Sequence, residues 1–547
     1  MKKTPTRRSV ISLTLCFALC AAMLSACSGG GASSSAAPQS GSSAAPAASS
    51  EAAQATLSYN GSSPVFEETK TISVLSSNGA SRNNEFAGMD WFQEILRRAN
   101  VQLDIELVDP SSYEDAVKPR LAAAVDLPDL IALPGNDSDM AYINSGIFID
   151  LTDYFDKYGF NLNPRMEEDA YAGIRGEITT PDGKMYYIPA MNLTVDWCRS
   201  LMLNFRWLDE LNLSAPTTLD EYYEYLKAVK TTDLNHNGEN DEIPLFMRAG
   251  MTQLFGNFWD LDLLVGYRQD DAGKVTCSYI EPAYRDCLAW LNKLYSEGLL
   301  YSEFATANLD TQTALFHNDQ IGSIFHFLSN CTGYSQQIDP SWDFNSDTPI
   351  MQPIIPPQGP NGQTYFYGRD PLGTFFGITR DCEDPEAVFC FADYLYSEEA
   401  AELAWYGLEG TDYNIENGEI VFTDVFLNNE DNYRTRMGYN CSALPNIQIP
   451  GSYGATQCKA IMEANEINRT HARNPIGFTF HLPEEIETIQ AYSADLKTYF
   501  DEMFVAFVTG TTPLTEWDSY VNNVKAMHVD EVTAIYQAVC DRQNAAG

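Results

Sequence analysis

The stretch TISVLSSNGASRNNEFAGMDWFQEILRRANVQLDIELV, which spans residues 71–108, decides the fold class. Residues 71–75 are rich in β-branched and apolar side chains and are followed by a Ser-Ser-Asn-Gly turn. Between Asn84 and Asn100 the apolar residues recur near helical spacing, and residues 101–108 alternate between apolar and polar as a half-buried strand does. This succession of strand, helix and strand predicts a βαβ unit.

The same alternation continues further along the chain. Residues 113–125 have a helical pattern, and residues 129–133 read as another strand that ends at a turn. We therefore predict an α/β fold with largely parallel sheets. Ligands of such sheets bind beyond the carboxyl ends of the strands. The turns that follow residues 75 and 133 supply the first candidate ligand-binding residues, which are Asn78, Asn136 and Asp137.

The charge balance excludes several classes of protein. The chain has 547 residues with 33 Lys and Arg against 75 Asp and Glu, a formal net charge of −42. Nucleic-acid binding and polybasic attachment to membranes both need a basic surface, so this balance argues against both. Disordered acidic chains are poor in aromatic residues, whereas this chain is 44% hydrophobic and 12% aromatic. Since single cores stop growing at roughly 250–300 residues, we expect a folded protein with more than one globular unit.

The N-terminus has the pattern of an exported protein. Basic residues precede an apolar run over residues 10–23, which is typical of a secretory signal and shorter than the roughly 20 residues of a spanning helix. The run ends in Leu-Ser-Ala-Cys, which resembles a bacterial lipobox; an ordinary signal peptide with an incidental cysteine is the alternative. We predict removal of residues 1–26, lipidation of Cys27, a flexible linker up to residue 65, and tethering at the extracellular face of the cytoplasmic membrane.

A second block carries a family resemblance. It reads MYYIP at residues 185–189, SLMLNF at 200–205, WLDEL at 207–211 and PTTLDE at 216–221. Thr218 with Glu221 three residues later is a start signal for a helix, which the pattern extends to about Lys230. In this order the segments resemble the extracellular solute-binding proteins of ABC importers, most closely the carbohydrate-binding family 1 type found as lipoproteins in Gram-positive bacteria.

The resemblance covers essentially the whole chain after residue 70. Its further segments are ALFHNDQIG at 314–322, a helix from 384 to 399, YGLEG at 406–410, WDSY at 517–520 and the closing residues 536–542. Cys540 stands where the family often has an aromatic residue. The resemblance implies an α/β, two-lobe, type II periplasmic-binding-protein-like fold, with a mostly parallel sheet flanked by helices in each lobe and a hinge between them. We assign residues 66–190 to the first lobe, 191–365 to the second, 366–430 to a return into the first, and 431–547 to a helical segment on the second lobe and hinge.

One loop has its own chemistry. Residues 233–242 read DLNHNGENDE, with oxygen-bearing side chains at alternate positions and Gly238 for a sharp turn. Ca²⁺ takes about six to eight oxygen ligands, but position 12, a Glu in an EF-hand, is Pro244 here, so the loop is not an EF-hand. An acidic surface turn is the alternative. The alginate-binding relatives hold Ca²⁺ in a loop of this pattern. The resemblance implies a structural Ca²⁺ held by the side chains of Asp233, Asn235, Asn237, Asp241 and Glu242 and by the Glu239 carbonyl.

Sugar-binding candidates come from aromatic residues beside polar ones. Carbohydrate sites pair flat aromatic rings with groups that hydrogen-bond hydroxyls. Several such pairs fall at predicted element ends, although packing in the core is the alternative for each ring. The candidates are Asp196, Trp197, Trp259, Asp260, Phe327, Arg369, Asp370 and Glu409.

The sequence therefore predicts a monomeric binding protein without catalysis, which captures an oligosaccharide and presents it to ABC permease subunits in the membrane. Two alternatives are a secreted glycoside-active enzyme, whose carboxylate pair cannot be ruled out among 75 acids, and a peptide-binding lipoprotein of the same fold. A calcium-dependent adhesin is disfavoured because the chain lacks repeats. The shortage of basic residues favours a neutral oligosaccharide, unless the cleft concentrates Arg199, Arg268 or Arg369.

Overall fold

The computed structural model describes residues 59–77, 84–133, 139–193, 199–328, 330–343, 346, 348–362, 366–368, 372–427, 438, 443–449, 461–465, 471–473, 475–477 and 480–546. The predicted signal, Cys27 and most of the predicted linker lie outside these ranges. No helix of the described residues is long and apolar enough to cross a membrane.

The strands of the described residues alternate with helices along much of the chain. In chain order they are β1 (Lys70–Ser77), β2 (Val101–Val108), β3 (Leu130–Ala132), β4 (Tyr187–Met191), β5 (Arg199–Asn204), β6 (Ile243–Phe246), β7 (Tyr267–Gln269), β8 (Val275–Cys277), β9 (Ile321–Phe327), β10 (Met351–Pro353), β11 (Phe366–Tyr367), β12 (Leu372–Ile378), β13 (Tyr413–Glu416), β14 (Glu419–Phe422) and β15 (Ala472–Arg473).

The helices flank these strands. In chain order they are α1 (Asp90–Ala99), α2 (Pro110–Ala123), α3 (Asp139–Asn144), α4 (Thr152–Tyr158), α5 (Leu162–Met166), α6 (Ile174–Ile178), α7 (Phe205–Glu210), α8 (Leu219–Lys230), α9 (Pro282–Ser296), α10 (Leu309–His317), α11 (Asn330–Ile338), α12 (Pro385–Tyr394), α13 (Glu398–Tyr406), α14 (Pro483–Thr509), α15 (Trp517–Ala526) and α16 (Val529–Ala546). Short 3-10 helices cover Asn84–Gly88, Asp169–Tyr171, Thr252–Trp259, Ser278–Ile280 and Leu514–Glu516.

The first sheet contains the strands that the sequence predicted from residues 71–133. Its order is β2-β1-β3-β12-β4, with β1 parallel to β2 and to β3. β12 runs antiparallel to both β3 and β4, so the other four strands share one direction. All residues of β3 and β4 are buried, as expected for strands covered on both faces. The predicted βαβ unit is confirmed, with α1 between β1 and β2.

The second sheet differs from the expectation of a mostly parallel sheet. Its order is β10-β5-β9-β6, and only the β6–β9 pair is parallel. β5 runs antiparallel to β9 and β10. The direction of β5 follows from its entry point: Arg199, its first residue, pairs with Phe327, the last residue of β9. The chain therefore enters this sheet at the edge where β6 and β9 end.

Each sheet has its own buried core, and we call the two halves the first and the second lobe. The first core combines residues 59–193 with residues 372–447, and the second combines residues 201–354 with the C-terminal helices. Stacked aromatic rings fill the second core, where the Phe255 and Trp290 centroids lie 5.5 Å apart and Tyr222 lies 6.3 Å from Trp290. Burial of such rings is a principal source of core stability.

The chain crosses between the lobes at the carboxyl edges of the sheets. β4 ends at Met191 and β5 begins at Arg199, and eight residue steps span at most roughly 28 Å. The return crossing leaves β10 and enters the first sheet at Leu372, beside Met191. The carboxyl edges of both sheets are therefore within reach of each other in the region between the lobes.

The C-terminal segment joins the two lobes. Helix α14 packs against α9, while α16 contacts β8 of the second lobe and α6 of the first. Arg542 on α16 holds Glu485 at the start of α14 with two hydrogen bonds of 2.8 and 2.7 Å. Just before α14, Phe480 belongs to the first core and lies 6.0 Å from the ring of Tyr187.

The helix start predicted at Thr218 is confirmed. The Thr218 hydroxyl accepts a hydrogen bond from the Glu221 backbone N–H at 3.2 Å. The Glu221 carboxylate does not return to the Thr218 backbone; it accepts from the N–H and the hydroxyl of Thr217, both at 2.7 Å. This cap fixes the start of α8, which buries Tyr222, Tyr225 and Leu226 in the second core.

Candidate functional site

The first sheet has one edge at which strands β1, β3 and β4 end and β12 begins. Seven of the predicted ligand-binding residues lie outside the described residues and stay predictions; they are Asn78, Asn136, Asp137, Asp196, Trp197, Arg369 and Asp370.

Four side chains meet at the carboxyl edge of the second sheet, and we call them the arginine edge: Arg199, Arg248, His326 and Phe327. Arg199 begins β5, Phe327 ends β9, and Arg248 comes two residues after β6. The Arg199 guanidinium lies over the Phe327 ring, 4.5 Å from its centroid. Arg248 Nη2 lies 3.1 Å from His326 Nε2. Strand topology thus gathers two positive charges at the edge where α/β sheets bind ligands.

His326 is a neutral acceptor within this edge. It is only 6% exposed, and burial, followed by the positive charges of Arg248 and Arg199, lowers the pKa of His326 to about 3. The imidazole is therefore uncharged at neutral pH, and its Nε2 accepts the hydrogen bond from Arg248. Nδ1 then carries the proton and donates to the side-chain amide of Asn330, 2.8 Å away, once a half-turn of that amide brings its oxygen to face Nδ1. These contacts hold the Arg248 guanidinium in one orientation.

Asp262 is a second buried titratable group near this edge. It is 3% exposed and follows the 3-10 helix Thr252–Trp259. Its Oδ1 accepts hydrogen bonds from the backbone N–H groups of Leu264 and Val265, both at 3.0 Å. Burial raises the pKa of Asp262 to about 6, although these two bonds and the charge of Arg199 act in the opposite direction.

Asp260 lies in a network of ionic contacts. Its Oδ1 accepts from Tyr367 Oη at 3.1 Å and from Arg473 Nη1 at 2.8 Å, and its Oδ2 lies 3.3 Å from Arg268 Nη1. Arg268 also binds both oxygens of Glu281, at 3.1 and 2.9 Å. The network ties the end of the 3-10 helix to β7, β11 and β15. In the described conformation the charge of Arg268 is therefore balanced within the protein.

The structure buries one predicted sugar-binding ring and exposes one predicted carboxylate. Trp259 is 4% exposed and packs against Trp290 at 5.8 Å in the second core, so its ring has no open face in this conformation. Glu409 is exposed in the turn between α13 and the β13–β14 hairpin of the first lobe. Phe327, which the sequence also predicted, belongs to the arginine edge.

A pocket of about 480 Å³ lies within the second lobe. Ala249 and Gly250, the loop at residues 263–267 and helix α14 line it. Its walls are mostly apolar, with Phe304, Phe500 and Phe504 among them, and the Thr252 Oγ1 that lines it has no hydrogen-bond partner.

The loop at residues 233–242 converges on a small set of oxygens. Asp233 accepts hydrogen bonds from the backbone N–H groups of Asn237 and Gly238, at 3.1 and 3.0 Å. The side-chain amides of Asn235 and Asn237 both point to Asp241 Oδ1, at 3.1 and 3.0 Å. A half-turn of either amide would bring its oxygen to the same point. The loop therefore gathers the side chains that the sequence singled out.

Glu242 gives the clearest sign that the loop fits a cation. It is 7% exposed; its Oε1 accepts from the Leu234 N–H at 2.6 Å, while its Oε2 is buried without a hydrogen-bond partner. A buried carboxylate oxygen without a partner is costly unless a cation satisfies it. In the described part of the chain no three His, Cys, Asp or Glu side chains form a metal-binding group. A bound ion would therefore depend on the loop amides and the Glu239 carbonyl as well as on carboxylates.

Comparison with known protein families shows the family to which this chain belongs. The model of the family described as bacterial extracellular solute-binding protein matches residues 83–402, more than half of the chain. This chain belongs to that family. Membership confirms the prediction of a solute-binding protein rather than an enzyme.

Two curated relatives extend the match. The polygalacturonan/rhamnogalacturonan-binding protein YtcQ of Bacillus subtilis is 27% identical over 331 residues, 59% of this chain and 63% of YtcQ, so the chain spans less than two thirds of that relative. The fructooligosaccharide ABC transporter substrate-binding protein FusA of Streptococcus pneumoniae is 24% identical over 488 residues, 82% of this chain and 87% of FusA.

Solved structures confirm the predicted fold class of this solute-binding protein. An EF-hand mutant of FusA in complex with fructo-nystose matches with a TM-score of 0.69 and 19% identity over 87% of this chain and 100% of that one. The alginate-binding protein AlgQ2 without calcium ion matches with a TM-score of 0.66 and 22% identity, covering 87% and 99%. The chain has the two-lobe, type II periplasmic-binding-like α/β fold.

Sequence reasoning missed Arg248 and Asp262 of this solute-binding protein. Arg248 follows the short strand β6, whose four residues carry little signal of their own. Its partner His326 is 78 residues away in sequence, and only the parallel pairing of β6 with β9 brings them together. Asp262 stands in a loop without a motif. A polar residue directly after a short apolar run is the signal that would have drawn attention to Arg248.

Proposed function

We propose that this protein captures an oligosaccharide between its two lobes and delivers it to ABC permease subunits in the membrane. The observation that carries the proposal is that both lobe crossings connect the carboxyl edges of the two sheets, with the arginine edge on one side. Cleft closure about a hinge is the usual response of such folds to ligand. Membership of the family, and relatives named for binding polygalacturonan and fructooligosaccharide, support a glycan as the ligand.

We further propose that Cys27 is lipidated and that the mature monomer is tethered at the extracellular face of the cytoplasmic membrane. The lipobox-like sequence directly after the apolar run supports lipidation, and the Gly, Ser and Ala composition that follows supports a flexible tether. A tether at the membrane surface keeps the binding protein near its permease partners.

A structural Ca²⁺ in the loop at residues 233–242 is part of the same proposal. Asp233, Asn235, Asn237, Asp241 and Glu242 would hold the ion through side-chain oxygens, together with the Glu239 carbonyl. The convergent oxygens and the unpartnered Glu242 Oε2 support this donor set. Bound Ca²⁺ would supply a fixed positive charge that closes the loop between α8 and β6. No catalytic role follows from such a closed ring of protein oxygens.

The direct test of binding is a thermal-shift screen of the purified protein against neutral and acidic oligosaccharides and against short peptides. Because a ligand that binds only the folded state raises the midpoint by mass action, we expect at least one oligosaccharide to raise it and the peptides to have no effect. The same mixtures should release no new reducing ends over several hours.

Two outcomes would contradict the proposal. A shift with peptides alone would identify a peptide-binding protein of the same fold. Steady release of reducing ends, abolished by substitution of one Asp or Glu, would identify a glycoside-active enzyme.

A further inference from the structure

We propose that the arginine edge binds the carboxylate of an acidic sugar, so that the ligand is an oligosaccharide that contains uronic acid. This inference rests on the proposed function and specifies its substrate class. It reverses the preference for a neutral oligosaccharide that the overall charge suggested, because that preference depended on whether the cleft concentrates arginines.

Arg248 has neutral partners rather than acidic ones. Its Nη2 donates to the neutral His326, and its Nε lies 3.3 Å from the sulfur of Met251. No carboxylate of the described residues forms an ion pair with it. In a chain with 75 acidic and 33 basic residues, a positioned guanidinium without an acidic partner is an exception to the overall balance. A planar guanidinium with free N–H groups matches the geometry of a carboxylate.

Arg199 adds a second positive charge to the same place. Arg199 lies over the Phe327 ring, which is 5.5 Å from the His326 ring, and Arg248 donates to His326, so the two guanidiniums lie near one imidazole. Two like charges brought together raise the energy of the empty site, and an anion lowers it. Asp262 is the carboxylate of the described residues that offsets part of this charge, and it is buried beneath the loop that its own hydrogen bonds hold.

Other arginines near this region differ from Arg248 in having acidic partners. Arg268 binds Glu281 and Asp260, and Arg473 binds Asp260 at 2.8 Å and also Asp271. These contacts hold the protein together and leave no unbalanced charge for a ligand. The contrast assigns anion recognition to Arg248 and a structural role to Arg268 and Arg473.

The neighbours of the arginine edge suit a sugar acid better than a bare anion. The Phe327 ring is half-buried at the end of β9, and the Asn330 amide stands beside His326 at the start of α11. Apolar and amide groups of this kind contact sugar rings and hydroxyls. A neutral sugar in the same place would desolvate the N–H groups of Arg248 that have no partner in the described residues and would offer them no charged acceptor, which penalises its binding.

The test is calorimetric titration of the full chain with trigalacturonate, with its methyl ester, with the neutral fructooligosaccharide kestose and with inorganic phosphate. We expect wild type to bind trigalacturonate about tenfold or more tightly than the methyl ester, which lacks the charge. Arg248→Gln should remove this preference, and Arg248→Lys should restore part of it because the charge remains without the planar fork. The control is Arg285→Gln, which removes an exposed arginine on α9 and should leave the preference unchanged.

The wild-type comparison of acid and ester needs no variant, so misfolding of Arg248→Gln cannot hide the answer. Equal binding of acid and ester, or binding of kestose alone, would overturn this inference and leave the proposed function intact. Binding of phosphate as tight as that of trigalacturonate would show an anion site that does not read sugar, and would also overturn it. Failure of every oligosaccharide, with binding of peptides in the screen above, would instead overturn the proposed function.

Discussion

Addition of Ca²⁺ to protein freed of metal with EGTA is expected to raise the free energy of unfolding by about 4 kcal/mol at roughly a thousandfold excess over Kd. The reason is that the loop at residues 233–242 exists as a convergent donor set only in the folded state. There Asp241 Oδ1 is near two side-chain amides, and Glu242 Oε2 has no partner. Denaturant unfolding with and without EGTA measures this difference.

Two substitutions in the loop distinguish stabilisation by a bound Ca²⁺ from a general effect of removing one negative charge. Glu242→Gln keeps an oxygen to accept from Leu234 but removes the buried charge, so most of the calcium response should disappear. Glu239→Gln is the matched control: its side chain is exposed and the proposed ligand is its backbone carbonyl, so the response should remain. A calcium response that is absent in wild type, or undiminished in Glu242→Gln, would contradict the proposed site.

The second large effect is a pH dependence that depends on Asp262. Burial raises the pKa of Asp262 from 3.8 to about 6, so between these values the folded state binds more protons than the unfolded state. Stability from this group is therefore greatest at low pH and falls as the pH rises from about 4 to about 6. Since one pKa unit corresponds to about 1.4 kcal/mol, the stability of Asp262→Asn relative to wild type should increase by about 3 kcal/mol across this window.

His326 opposes Asp262 over the whole of this pH range, so wild type alone would not reveal the effect. Its pKa is lowered to about 3; the unfolded state then binds the extra proton, and stability rises with pH between about 3 and 6.5. Asp262→Asn retains His326, and the difference between variant and wild type isolates Asp262. Asp286→Asn, at an exposed position of α9, is the control and should show no such trend. A difference for Asp262→Asn that stays constant or shrinks as the pH rises would contradict this explanation.

Local signals in the sequence predicted the parts of the fold that depend on near neighbours. The alternation over residues 71–108 corresponds to β1, α1 and β2, and the Thr218 signal corresponds to the start of α8. Local signals did not predict which distant segments pair with one another. β12 pairs with β3 and β4 from about 180 to 250 residues further along the chain, and no local pattern specifies that partner.

Some residues of the candidate sites were likewise predictable from local sequence, and others were not. The oxygen pattern of residues 233–242 is local, and the structure brings the side chains of Asp233, Asn235, Asn237 and Asp241 close together. The aromatic candidates depended on burial, which composition does not reveal: Trp259 lies in the core and Phe327 lies under Arg199. The arginine edge required the register of β5, β6 and β9, which is a property of the sheet rather than of any segment.

The central claim is that an oligosaccharide binds between the two lobes, and small-angle X-ray scattering tests it most directly. With the oligosaccharide that gives the largest thermal shift at saturation, the account predicts a smaller radius of gyration than without it, because the lobes close around the ligand. Calorimetry on the same sample should give one ligand per chain. A radius of gyration that does not change although calorimetry shows the site to be full would contradict the account.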